Sequence, residues 1–321
     1  MKSSSLWTNK CFVAFMAVVA CILWGSAFPI LKLTYAELQL TPTDVYSRLL
    51  LAGGRFLLAS VMIFILFGAF RQPMGIRREW VFPLFLLGLA QTGLQYFFFY
   101  NGVAHATGIK SAILNSVGNF LVVVLAPLFY PDDRLHLGKV IGLVAGFAGI
   151  VLVNWQPQGT GFDWQFSLVG EGFLMFAGIT SVIGTFYAKR LSRKIHPVVM
   201  NGYQLLFGSL LLLISGVPAL LKGSLRTTPL FWGLFLYSAF LSAAAFSIWY
   251  TLLKYNRAAE VTMYRFTIPV AGAILSAALL PTERLTLSVG VSLLLVALGI
   301  VVVNRWRPSD EGELVRGGEA G

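Results

Sequence analysis

Arg265 is the residue best suited to chemistry, because it carries a charge inside a long apolar segment, 259–280. An arginine at the centre of a membrane helix costs about 2.5–3.5 kcal/mol on insertion scales, so it normally faces a cavity or a partner. In a cavity, its guanidinium would bind an anionic group such as a carboxylate. The alternative is a structural arginine that forms a salt bridge or extends to the membrane surface. For Arg55 and Glu171, we favour mutual pairing or anchoring at the interface over ligand contact.

Polar side chains cluster in two other apolar segments. Gln91 and Gln95 are four residues apart and share a helix face, as do Asn115 and Asn119. A polar stripe within lipid should face protein or a water-filled cavity. Hydrogen bonds between helices, worth about 0.6 kcal/mol each, are the alternative role for these residues, and a core position is the alternative for Trp24. We predict a central cavity whose wall contains Trp24, Gln95, Tyr100, Asn115, Asn119, Ser247, Tyr250, Tyr264 and Arg265.

The sequence lacks the patterns that enzymes and metal sites require. It has no carboxylate pair in the middle of an apolar segment, no metal-ligand spacing of His, Asp or Glu, and no Walker A loop. The histidines lie at loops or segment ends, unlike proton-relay histidines. Cys11 and Cys21 are separated by about 15 Å of helical rise, too far for a disulfide. We therefore predict that the protein is not an enzyme and uses no metal or cofactor.

The composition indicates a membrane protein. Apolar residues make up 57% of the chain and charged residues 12%, whereas soluble domains carry about 25% charged residues. The net charge of +11 could indicate nucleic-acid binding, but the cations lie in short clusters between apolar runs, as in membrane proteins. The first run is too long for a signal peptide and should be retained. We predict an all-α integral membrane protein with ten spans: 11–33, 47–70, 81–101, 107–130, 138–155, 168–188, 198–221, 230–253, 259–280 and 287–304.

An internal repeat organises the predicted spans. Shifted by 150 positions without a gap, residues 81–154 align with residues 231–304. The same shift places Asn115 on Arg265, so the two halves carry unlike polar groups at equivalent depths. Identical pairs include Tyr100 with Tyr250, Pro131 with Pro281, and Gly149 with Gly299.

The repeat determines the predicted topology. Each copy, 11–155 or 168–304, holds five spans, so the second copy must enter the membrane from the opposite side. Inverted repeats of this kind are typical of secondary transporters. A loop, 156–167, joins the copies, and residues 305–321 form a tail. Basic residues concentrate in the segments on one side of the membrane, which places both termini in the cytoplasm.

Short motifs follow one another in order along the chain. The first span contains Trp24-Gly25-Ser26-Ala27-Phe28-Pro29, and the second contains Gly54-Arg55-Phe56. Asp133-Arg134-Leu135 precedes the fifth span, and Glu283-Arg284-Leu285 precedes the tenth. Together with the repeat, these motifs resemble those of EamA-type transporters in the drug/metabolite transporter superfamily. The resemblance implies a metabolite exporter of the bacterial inner membrane, and it leaves the substrate open.

The resemblance and Arg265 together lead to a functional hypothesis. We expect a secondary transporter that exports a small, zwitterionic or partly apolar metabolite, such as an amino acid, by alternating access. Its expected partners are this substrate and the lipid bilayer, with protons as a candidate coupling ion and no nucleic acid. Both a monomer and a homodimer are compatible with the sequence. The rivals are a carrier of drugs or phosphorylated metabolites with the same fold, and a membrane receptor that does not transport.

Overall fold

The chain folds into helices in the computed structural model, in agreement with the predicted fold class. The structure describes residues 6–71, 73–115, 117–129, 137–153, 167–222 and 227–305, and no strand occurs among them. Most of the predicted joining loop and tail, and the motif around Asp133, lie outside these residues. The helices are α1 (Lys10–Glu37), α2 (Val45–Ala69), α3 (Arg78–His105), α4 (Gly108–Leu114), α5 (Val117–Phe129), α6 (Leu137–Val153), α7 (Leu168–Ser192), α8 (Pro197–Lys222), α9 (Pro229–Tyr255), α10 (Ala258–Met263), α11 (Thr267–Leu279) and α12 (Leu287–Arg305).

Several of these helices are long and apolar enough to cross a membrane, so the chain is a multi-pass membrane protein. In the described part of the chain, seven helices meet this criterion, and two shorter apolar helices accompany them. The predicted total of ten spans stays a prediction. The fourth predicted span is divided between α4 and α5, and α6 has only 17 residues. The seven are Lys10–Glu37, Val45–Ala69, Arg78–His105, Leu168–Ser192, Pro197–Leu221, Pro229–Tyr255 and Glu260–Leu279.

Two helical interruptions occur at positions that the repeat makes equivalent. Asn115 lies in a turn directly after α4, and Arg265 lies in a 3-10 turn, Tyr264–Phe266, between α10 and α11. Pro269 lies four residues after Arg265 and has no amide hydrogen, so it cannot donate to the carbonyl of Arg265 as a helix requires. Non-helical backbone at membrane depth is tolerated where it lines a cavity or is buried in protein. The interruptions therefore mark the place where a site is expected.

The packing of the helices is symmetric between the two halves. α1 packs against α9 and α11, and in the same way α7 packs against α3 and α5. The two most extensive helix contacts join α2 with α8 and α6 with α12. The counterparts in the two halves are α1 and α7, α2 and α8, α3 and α9, α5 and α11, and α6 and α12. Exchanging the two members of every pair leaves this set of contacts unchanged. Such self-consistency is expected of two repeats related by a two-fold axis.

Reciprocal glycine contacts between α2 and α8 locate that axis. A Cβ atom on Gly53 would lie 2.8 Å from the backbone nitrogen of Leu213, and one on Gly216 would lie 2.6 Å from that of Leu50. Position 50 thus faces 216, and position 53 faces 213, so the two helices run antiparallel. A two-fold axis between antiparallel counterparts lies perpendicular to them, in the plane of the membrane. This geometry supports the prediction of inverted repeats.

Replacing Gly53 with alanine tests whether this close contact holds the halves together. We expect Gly53→Ala to lower the midpoint of thermal unfolding in detergent by several degrees, because overpacking costs roughly 1–3 kcal/mol. Gly68 lies in the same helix with no neighbouring atom within 4 Å of an added Cβ, so Gly68→Ala is the matched control. Because alanine has a higher helix propensity than glycine, the Gly68→Ala control should be at least as stable as the parent protein. Equal behaviour of the two variants would contradict the assigned contact.

Candidate functional site

A small cavity of about 30 Å³ lies where the two helical interruptions meet α1, α3 and α9. Its wall combines aromatic and aliphatic side chains with a few polar groups, as ligand sites usually do. The lining residues are Trp24, Ala27, Phe28, Gln95, Tyr96, Phe99, Asn115, Phe246, Arg265 and Ile268. The structure thus brings together Trp24, Gln95, Asn115 and Arg265 from the predicted wall.

The cavity is built from both halves of the chain at equivalent positions. Asn115 and Arg265, which are related by the 150-residue shift, both line it. Tyr96 and Phe246 are related by the same shift, and their ring centroids are 6.4 Å apart. Equivalent residues of two repeats can meet only near the symmetry axis. The cavity therefore lies between the two halves, close to that axis.

The guanidinium of Arg265 lies against two neighbouring tryptophan rings, whose centroids are 5.2 Å apart. Its central carbon lies 5.3 Å from the ring centroid of Trp24 and 5.4 Å from that of Trp249. Cation–π contacts of this kind stabilise a desolvated cation by about 2 kcal/mol. Arg265 is only 6% exposed, and its Nη1 donates to the hydroxyl of Ser181 at 3.2 Å. Among the described residues, no carboxylate pairs with this arginine.

Several polar atoms of the wall have no partner. Nε1 of Trp24, Oδ1 of Asn115 and Nε of Arg265 are buried and make no hydrogen bond to the described residues. A buried polar atom without a partner costs about 1–3 kcal/mol. Two of these atoms are donors and one is an acceptor. They complement a ligand that accepts hydrogen bonds with one group and donates with another.

Gln95 reaches the wall from a helix with irregular geometry. A π-helical turn, Leu89–Leu94, interrupts α3 directly before Gln95. Gln91 lies in this turn, and its Nε2 donates to Oε1 of Gln95 at 2.6 Å. The extra residue of a π-turn rotates the helix that follows it, and such turns are frequent at functional sites.

Tyr100 belongs to a buried scaffold outside the wall. Its hydroxyl accepts a hydrogen bond from Nη1 of Arg55 at 3.1 Å. Nε of Arg55 donates to the carbonyl of Ser238 at 2.9 Å and to the hydroxyl of Ser242 at 3.0 Å. The suggested pairing of Arg55 with Glu171 is wrong. Glu171, at the start of α7, forms an ion pair with Lys110 of α4 instead.

The other predicted wall residues also lie outside the lining. Ser247 accepts a hydrogen bond from Nδ2 of Asn201 at 2.9 Å. Tyr250 is buried behind the wall, with its ring 5.7 Å from that of Phe246. Asn119 is buried in α5, one turn beyond Asn115, and half-buried Tyr264 lies near Glu260 at the start of its span. Helix rotation and the interruptions direct these side chains elsewhere.

Sequence reasoning did not identify several residues of the site. Trp249 and Phe246 correspond to Phe99 and Tyr96 under the 150-residue shift, so the repeat carried a signal for them. Ser181 had no such signal, because the first and sixth predicted spans align weakly in sequence. Only the packing of α7 in the structure places Ser181 next to Arg265.

Comparisons with known proteins agree with this architecture. The sequence profile of the EamA-like transporter family matches residues 12–155 and again residues 168–305. The chain belongs to the EamA-like transporter family. Two curated relatives are similar over most of their length. The uncharacterized transporter YvbV of Bacillus subtilis is 28% identical, covering 92% of each chain. An uncharacterized transporter of Archaeoglobus fulgidus is 24% identical, covering 88% of this chain and 95% of its own.

Further similarities extend to a plant relative and to a solved structure. The WAT1-related chloroplastic protein At3g02690 of Arabidopsis thaliana is 26% identical over 87% of this EamA chain and 66% of its own. A protein of known crystal structure superposes with a TM-score of 0.70 at 16% identity, covering 91% of this chain and 96% of that one. The superposition supports the fold. The family membership establishes a membrane transporter.

Substitution of the two buried arginines should separate the site from the scaffold. We expect Arg265→Met to raise the midpoint of thermal unfolding in detergent, because it replaces an unpaired buried charge with an apolar side chain. Arg55→Met should lower the midpoint, because Tyr100 and Ser242 lose a partner at about 1–3 kcal/mol each. A comparable loss in both variants would show that Arg265 is a structural residue.

Proposed function

We propose that this EamA-family protein is a secondary transporter that exports a small carboxylate-bearing metabolite, such as an amino acid or a related compound. The observation that carries the proposal is the environment of Arg265. Its charge faces a central cavity, two aromatic rings contact it, and its Nε has no hydrogen-bond partner in the described part of the chain. A buried charge without a counter-ion is expensive, and an anionic cargo would supply the missing partner.

The wall suggests how such a cargo would bind. The carboxylate would accept hydrogen bonds from Nε of Arg265 and Nε1 of Trp24, and a donor group on the cargo would face Oδ1 of Asn115. The apolar part of the cargo would contact Phe28, Phe99 and neighbouring apolar groups. A phosphorylated cargo fits this wall less well, because Arg265 is the only charged residue that lines the cavity in the described part of the chain.

The size of the cavity supports alternating access. A volume of about 30 Å³ holds only a few water molecules, so an amino acid requires the surrounding helices to separate. Contacts at the two ends of the helices are the ones that would open and close access to the cavity in such a cycle. At one end, Lys110 pairs with Glu171, and the amide of Gly108 donates to Glu283 at 2.6 Å. At the other end, Nζ of Lys189 donates to the carbonyl of Asn256 at 2.6 Å.

We further propose a location in the bacterial inner membrane, with both termini in the cytoplasm. The bacterial and archaeal relatives support a plasma-membrane location. The distribution of basic residues supports the orientation. Under this orientation, the Lys110–Glu171 contact lies on the outer side and the Lys189 contact lies on the cytoplasmic side. Export then requires the outer contacts to break after the cargo has bound from within.

Transport by purified protein in lipid vesicles tests the proposal. With a panel of labelled carboxylate metabolites in a counterflow assay, the parent protein should exchange at least one compound. Arg265→Gln should raise the KM of that compound roughly 10- to 100-fold, because a hydrogen bond to a charged group contributes about 1.5–3 kcal/mol.

The matched control is Arg257→Gln. Arg257 is exposed and lies 3.8 Å from Glu260, away from the cavity, so its removal should leave the KM unchanged. Unaltered transport of every carboxylate by Arg265→Gln would contradict the assigned role. Absence of exchange with all compounds, while a folded protein is present in the vesicles, would favour a non-transporting receptor.

A further inference from the structure

The interior of the protein is positively charged. Arg265 lines the cavity, and Arg55 lies 2% exposed in the scaffold, with hydrogen bonds to uncharged oxygen atoms only. Each acidic residue that the structure describes lies at a helix end or in a turn. None of these acidic residues lines the cavity. These residues are Glu37, Asp44, Glu79, Glu171, Glu260 and Glu283.

The titratable groups around Arg265 do not offset its charge. Cys21, Tyr96 and Tyr250 are the groups whose charges would act on it, and a thiol and two phenols are uncharged at neutral pH. The described histidines lie at helix ends. Burial, helped by the charge of Lys254, lowers the pKa of His196 below its usual value, so this ring is neutral at pH 7. The described residues thus provide no proton carrier beside the cavity.

This charge distribution discriminates between cargoes of different net charge. A monoanion would neutralise Arg265 within a low-dielectric wall. A zwitterion would leave its ammonium group without an anionic partner, and burying an uncompensated charge is costly. Trp24 and Trp249 already contact Arg265, so an ammonium group placed against them would be repelled by the guanidinium. A neutral N–H donor, in contrast, suits the unpartnered Oδ1 of Asn115.

We infer that the cargo is a monoanionic carboxylate without an ammonium group, of the N-acylated amino acid class, and that the membrane potential drives its export without a coupling ion. This inference rests on the proposed transport function. Each cycle moves one negative charge outward, and a cell interior is electrically negative. A potential of 100 mV acting on one charge sustains a concentration ratio of about 50-fold.

Accumulation in vesicles measures the transported charge directly. Purified protein is reconstituted in vesicles, and a potassium gradient with valinomycin sets an interior-positive potential of about 100 mV. N-acetylleucine, leucine and leucinamide share one side chain and differ in charge, so they serve as monoanion, zwitterion and cation. The final ratio does not depend on the orientation of the protein in the vesicle. We expect about 50-fold accumulation of N-acetylleucine, with no carrier-mediated accumulation when a proton gradient replaces the potential.

Protein-free vesicles and Arg265→Met vesicles correct for leakage. Transport of leucine but not N-acetylleucine would overturn the inference and leave the proposed function intact. Accumulation of N-acetylleucine that depends on the proton gradient and not on the membrane potential would also overturn the inference, and it would leave the proposed function intact. If none of the three compounds moves in vesicles that contain folded protein, the inference is overturned, and the counterflow panel decides separately whether the proposed function stands.

A carboxylate introduced beside Arg265 provides a second test. Asn115→Asp places an anion in the same cavity wall, where it compensates the guanidinium. We expect this variant to lose affinity for N-acetylleucine at least tenfold and to gain transport of leucine, whose ratio is independent of the potential. Asn119→Asp, one helical turn further and outside the lining, should not reverse the preference. An unchanged preference in Asn115→Asp would contradict the charge argument.

Discussion

The constraint on which the site depends is a buried arginine, Arg265, that has no counter-ion among the residues the structure describes. Its charge is stabilised by Trp24, Trp249 and the hydroxyl of Ser181, which come from three different helices. Two of those helices, α1 and α7, closely approach α11 and α5, the helices that follow the two interruptions. A Cβ atom on Gly25, next to Trp24, would lie 2.9 Å from the backbone nitrogen of Gly272, and one on Gly178, a turn before Ser181, would lie 2.7 Å from that of Gly118. The small residues thus position the groups that hold the cation.

Hydrogen bonding distinguishes this arginine from the other buried cations. Arg48 donates to the side chain of Asn101 and to backbone carbonyls, and Arg55 donates to Tyr100, Ser238 and Ser242. Lys189 donates to the carbonyls at the end of α9. Each of these cations links its own helix to a neighbouring helix through hydrogen bonds. Arg265 alone among the buried arginines of the described chain has a nitrogen that is completely buried and unpartnered, and this nitrogen belongs to a cavity wall.

The sequence predicted the features that depend on repeated or periodic residue patterns. It missed those that depend on the direction in which individual side chains point. Repetition alone paired Asn115 with Arg265, and the structure places both at one cavity. Hydropathy predicted an all-helical membrane protein. The same reasoning could not decide which side chains of α3 line the cavity, because the π-helical turn changes the rotation of the helix that follows. Distances across the bundle are not encoded locally, which is why Glu171 was assigned the wrong partner.

The reciprocal contact between α2 and α8 also bears on how the chain arose. A contact that each helix makes identically with its antiparallel counterpart does not require the two to be joined. Two separate copies of a half-length ancestor could have made it, provided that one copy inserted into the membrane upside down. Fusion of the genes would then have fixed one copy in each orientation. Position 115 and position 265 could then diverge, giving one half the cation and the other the amide.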